Sequence, residues 1–110
     1  MSKTPKVQHV FTLLVQVGRG PNDGLPSEAS GAALLCYTAA RDEAEAVRET
    51  VQLLKSADLV PLDVTGYGTL ADREAEGHDI GDDDRALMQR ALDDNAVIVA
   101  ETTVLKEEET

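Results

Sequence analysis

The side chains able to do chemistry gather in three stretches of the chain. The most conspicuous is 72–84, where Asp72, Glu74, Glu76, Asp79, Asp82, Asp83 and Asp84 surround His78 and only Arg73 opposes them. Carboxylates beside one imidazole could hold a hard or borderline cation, with His78, Asp79 and Asp82 as the ligand set. The order is not that of an EF-hand loop, because the Asp-x-Asp-x-Asp-Gly run and the correctly placed glutamate are missing. A solvated acidic loop ending in a helix cap accounts for the same residues, with Asp82 or Asp83 as the cap. No cofactor is expected.

The second stretch is Gly66-Tyr67-Gly68. Two glycines around an aromatic at the end of a strand allow a sharp turn that presents Tyr67 where open α/β sheets bind ligands. The third is the glycine-rich run Gly18-Arg19-Gly20, followed by Gly24. It invites comparison with nucleotide-binding loops. Those loops open directly into a helix whose amides hold the phosphate, whereas here a second strand follows and no Gly-Lys-Ser or Gly-Lys-Thr is present. Arg19 could still meet an anion at the loop mouth. An enzyme would need Arg19, Tyr67 and His78 to meet at one end of the sheet. There is no Gly-x-Ser-x-Gly elbow, His-Glu-x-x-His pair or P-loop, so the reading leans away from an enzyme. His9 reads as a structural histidine near a strand's start. Cys36, the single cysteine, reads as a buried thiol with no basic neighbour to activate it.

Composition narrows the classes. The chain of 110 residues supports one domain over 1–110, with polar tails at 1–6 and 106–110. A formal charge of −11 and ten scattered basic residues leave no stripe to follow a nucleic-acid backbone. Phe11, Tyr37 and Tyr67 are the only aromatics, too few for a base-stacking platform. An anionic membrane surface would repel the chain. One cysteine excludes an internal disulfide framework and a cysteine-based zinc cluster. No signal-peptide pattern or run of transmembrane length is seen, and the expected location is cytoplasmic.

The elements that must position these side chains follow from periodicity. Val7–Val17 alternates as a strand, with Val7, His9, Phe11, Leu13, Val15 and Val17 on its core face. Ala32–Thr38 is apolar on both faces, as an interior strand is. Asp42 caps a helix, with Glu45 three residues on and a stripe of Ala44, Val47, Val51 and Leu54. Leu59–Thr65 is a strand with Val60, Leu62 and Val64 inward; Pro61 confines it to an edge or places Pro61 at its beginning. Asp84–Asp94 is a second helix, with Leu87, Met88, Ala91 and Leu92 buried and Asn95 ending it. Ala96–Ala100 is the most apolar run and reads as a central strand, with Glu101–Leu105 extending past the sheet or pairing with a neighbour.

The order ββαβαβ predicts an α+β fold: a two-layer sandwich, a four-stranded mixed sheet and two helices on one face. It is a variant of the ferredoxin-like arrangement, since the glycine-rich loop supplies no helix after the first strand. Its general look resembles that of small bacterial domains that pair sheets or edges into dimers. One sheet face would keep Val10, Leu14, Leu34 and Cys36 uncovered, and leftover apolar surface usually meets a partner. The expected function is therefore a homodimeric binding or structural module. The alternatives are an interaction subunit docking a basic partner, and the small-molecule enzyme at Arg19, Tyr67 and His78.

Overall fold

The computed structural model describes residues 7–20 and 24–106, the last by its backbone alone. The tails expected at 1–6 and 106–110 otherwise lie outside the described residues. The elements are β1 (His9–Gly18), β2 (Ala29–Ala40), α1 (Glu43–Ser56), β3 (Val60–Thr69), α2 (Leu70–Ala75), α3 (Asp82–Asp94) and β4 (Val97–Lys106). The fold is α+β, with one four-stranded sheet in the order β3-β1-β2-β4. No helix among the described residues is long and apolar enough to cross a membrane.

Every neighbouring pair in the sheet is antiparallel, so the expected mixed sheet is corrected. The strand–helix–strand unit β2-α1-β3 does form. Its two strands run the same way, but β1 lies between them and pairs antiparallel with both. The strand order also differs from a ferredoxin-like sheet.

The helices do not share a face. In register, Leu13 sits opposite Cys36 and Val15 opposite Leu34. These side chains, with Phe11, Val17 and Ala32, pack under Ala46 and Leu54 of α1. On the reverse face Val10 and Tyr37 pack under Met88 and Ala91 of α3, joined by Ile80. The expectation of an uncovered apolar face had joined residues from both sides. Leu34 and Cys36 lie under α1, Val10 lies under α3, and only Leu14 of the four stays partly exposed.

Local chemistry explains the element ends. Asp42 Oδ1 accepts the Glu45 N–H at 2.8 Å and starts α1. The buried side of α1 is turned from the expected stripe: Ala44 is exposed, while Ala46, Thr50 and Leu54 are buried. Burial of Thr50 is balanced by Thr38 of β2, since their hydroxyls lie 2.6 Å apart. Asn95 ends α3 with a left-handed backbone (φ 50), as its type suggests. At the other end of α3 the cap is Gly81, with no side-chain cap hydrogen bond; Asp82, Asp83 and Asp84 form the first turn instead. α2 was not expected. Thr69 and Asp72 close a reciprocal capping box around its start, so part of the acidic loop is helical.

The two sheet edges differ. β3 runs through Gly66-Tyr67-Gly68, so that stretch is strand and not a turn beyond it. Pro61 lies near the start of this edge strand, and register shifts interrupt its pairing with β1 at both Leu62 and Tyr67–Gly68. The first shift accounts for the exposure of Val60 and Leu62, which were expected inside. β4 is the opposite edge, not a central strand. It has one extra residue, Ala100, and then runs regularly through Glu101–Leu105. Ala39 N–H donates to the Ala96 carbonyl at 3.2 Å, and Ser30 Oγ donates to the Leu105 carbonyl at 3.2 Å. Those residues turn their backbone toward β2. By alternation, Val97, Val99, Thr102 and Val104 turn their N–H and C=O groups outward.

Candidate functional site

The sequence-predicted residues are dispersed. Arg19 follows β1 directly, and its Nη1 donates to the carbonyls of Pro26 (2.9 Å) and Ala29 (2.7 Å). Those bonds brace the loop between β1 and β2. Gly18 pairs with Val60, and Tyr67 lies seven residues further along β3. At the usual rise per residue, Arg19 and Tyr67 are therefore roughly 20 Å apart, at opposite ends of the sheet. Tyr67 is 43% exposed and borders a shallow cavity of about 450 Å3 with Asp72, Ala75 and Glu76. His78 follows α2, is half exposed, and lies 3.7 Å from a Glu76 oxygen. Asp79 is in the link to α3 and Asp82 in its first turn. Among the described residues no three His, Cys, Asp or Glu side chains are gathered closely enough to hold a metal ion. Cys36 is fully buried, and that burial pushes its thiol up to about 11.

A different polar cluster is built on the reverse face of the sheet. Thr12 and Tyr37 are direct cross-strand partners, each about 1% exposed. The Tyr37 hydroxyl donates to Asp84 Oδ1 at 2.8 Å, and Arg73 Nη1 donates to Thr12 Oγ1 at 3.1 Å. Each bond joins a strand to a helix: Tyr37 ties β2 to the first turn of α3, and Thr12 ties β1 to α2. Burial pushes the Tyr37 phenol up to about 12. The Asp84 bond and its negative charge act in the same direction, and Arg73 opposes them. At neutral pH the phenol is therefore a fixed donor, not a nucleophile or base. Outside this cluster Arg85 bonds the Ile80 carbonyl (3.1 Å) and Glu74 Oε2 (2.7 Å), tying α3 back to α2. These bonds occupy Arg73 and two of the acids around it with holding the helices down.

The sequence reading missed this cluster because its members are spread over residues 12, 37, 73 and 84. Strand alternation did place Thr12 and Tyr37 each on a definite face, but only the register brings them opposite one another. Arg73 had been read as a lone counter-charge within the acidic run.

Below the cluster the reverse face is open. α2 and α3 cover the rows at Val10 and Thr12, Leu35 packs at the border of that cluster, and the sheet continues beyond it through Leu14, Gln16 and Ala33 with no helix of the described residues above it. On the other face, Glu49 of α1 and Val97 of β4 border a polar cavity of about 420 Å3. The same flank of α1, one turn on, carries Leu53, 42% exposed. Val99 on β4 is 40% exposed. Exposed apolar side chains thus accompany the outward backbone of β4 on the α1 face.

No curated protein and no solved structure matches the chain. One family model does, over residues 10–106, from the second residue of β1 to the last of β4. That span covers the sheet except His9, the three helices of the described residues, the polar cluster and the open face. The chain belongs to the family described as a domain of unknown function, DUF8846.

Proposed function

We propose that this protein is a cytoplasmic, homodimeric binding module whose two copies join through β4. The observation that carries the reading is the outer edge of that strand. Thr102 and Val104 direct backbone donors and acceptors away from the sheet within the regular Glu101–Leu105 stretch. Unpaired edges of this kind template further pairing unless they are blocked. The β3 edge carries a proline and two interruptions, so the asymmetry between the edges favours β4. Antiparallel pairing of two β4 strands about a two-fold axis would give a continuous eight-stranded sheet. It would also bring Leu53 and Val99 of each copy toward the seam.

Sedimentation across a concentration series tests the reading. The wild-type chain is expected to shift from dimer to monomer on dilution. Thr102→Pro removes only an outward N–H, so it should remain folded by circular dichroism and stay monomeric at every concentration. A wild-type chain that is monomeric throughout would overturn the proposal, and so would a Thr102→Pro chain that dimerises as the wild type does.

A further inference from the structure

The half of the reverse sheet face that no described helix covers has a definite chemistry, read from the strand registers. One row across the sheet is Thr65, Leu14, Leu35 and Glu101. The next is Asp63, Gln16, Ala33 and Thr103. Val60 and Leu105 stand at the two edges of the row after that. The middle of the trough carries Leu14, Leu35 and Ala33 with one exposed amide, Gln16, and each edge strand contributes one exposed carboxylate, Asp63 or Glu101. A depression of about 240 Å3 lies there, between Asp63 and Thr65 on one side and Leu105 on the other.

We infer that this trough binds a basic amphipathic helix of a partner protein. Its dimensions select a helix. Four strands at the usual spacing and four residues of rise make a floor roughly 14 Å by 14 Å. A helix about 10 Å across fits that width and lays down about two and a half turns. It would also continue the layer that α2 and α3 begin on the same face. The rim selects the charge. An apolar stripe seated on Leu14, Ala33 and Leu35, with Lys or Arg on both flanks, would meet Asp63 on one side and Glu101 on the other. A helix of a second copy does not fit, because none has an exposed apolar stripe with basic residues on both flanks: the exposed charges of α1 are mixed (Glu43 and Glu49 with Arg48 and Lys55), and those of α3 are mainly acidic (Asp82, Asp83, Asp93 and Asp94 with Arg85 and Arg90). The trough is complete within one chain, so the inference does not rest on β4 pairing. Its small area places the interaction among weak, transient ones.

The test uses the full chain and a synthetic peptide of about 18 residues, longer than the length below which isolated helices are marginal in water. The peptide carries leucines at helical spacing with lysines on both flanks. A scrambled peptide of the same composition is the control. NMR resonances of Leu14, Ala33, Leu35 and Thr65 should move on titration with the amphipathic peptide, with micromolar Kd. Asp63→Asn with Glu101→Gln, two exposed changes that leave the core intact, should weaken binding about tenfold. Ala33→Gln, which fills the floor, should weaken it at least as much. No binding would overturn the inference, as would equal binding of the scrambled peptide or shifts confined to α1 and α3. Thr102→Pro separates the two readings: the trough predicts unchanged peptide affinity in that variant. Loss of binding there would move the peptide to the β4 seam and overturn the trough. A wild-type monomer that still binds would sustain the trough and remove only the dimer.

Discussion

Tyr37 shows how far a single side chain can be read. Its burial could be expected from its place in an apolar strand, but its partner could not, because Asp84 lies 47 residues away in α3, the third helix after it. The bond has a cost that can be measured. Tyr37→Phe removes the donor and leaves the half-buried Asp84 carboxylate without it, which should lower stability by about 1 kcal/mol. For a domain of this size the melting temperature should fall by several degrees. The pH dependence has a definite sign. Folding holds Tyr37 and Cys36 in their neutral forms, raising the phenol from 10 to about 12 and the thiol from 9 to about 11. Their contribution is fully present below pH 9 and is lost progressively as pH rises towards 12. In alkaline denaturation followed by circular dichroism, Tyr37→Phe should flatten the loss between pH 10 and 12 and keep the earlier part due to Cys36. An unchanged profile would show that the buried hydroxyl is not linked to folding.

At the scale of elements, periodicity carried most of the fold. Both long helices lie where their apolar spacing puts them, α1 behind its Asp42 cap and α3 behind Gly81 instead of an aspartate cap, and β2 is interior because both its faces are apolar. Three features could not be read in the same way. The face on which each helix packs depends on strand register, and register is a property of two strands together. The bulk of Leu62 and the glycines at 66 and 68 gave no sign that β3 is interrupted and continues through them. Ala96–Ala100 looked central because it is apolar, yet it lies at an edge, where burial by α3 on one side is enough to account for Ile98 and Ala100. The close approach of β1 and β2 offers a test of the observed register. A methyl group at Gly31 would come within 2.3 Å of the Val17 carbonyl oxygen. Gly31→Ala must therefore shift one of the two central strands, at a cost of about 1–3 kcal/mol. Gly24→Ser is a fair contrast in thermal melts: apart from its chain neighbours, no atom of the described residues stands within 4 Å of an added Cβ there, although its φ of +74 still favours glycine. A melting temperature unmoved by Gly31→Ala would contradict the register.

The whole molecule is governed by two properties the composition already announced, a modest core and a charge of −11. The three candidate ligand residues looked equivalent along the chain. The sheet separates Arg19 from Tyr67 because β1 carries the chain from one end of the fold to the other. The charge bears on assembly. Two copies repel one another over the distance that salt leaves unscreened, so a β4 dimer should tighten as ionic strength rises, whereas a basic peptide in the trough should loosen. Opposite salt trends in sedimentation and in peptide titration are therefore expected of one protein. The measurement that tests the dimer most directly is an isotope-filtered NOE experiment on an equal mixture of labelled and unlabelled chains. Contacts between β4 of one chain and β4 of the other, with slow exchange of the Thr102 and Val104 amides, are the predicted result. Rapid exchange of those two amides at millimolar concentration, with no contact between chains along β4, would contradict it.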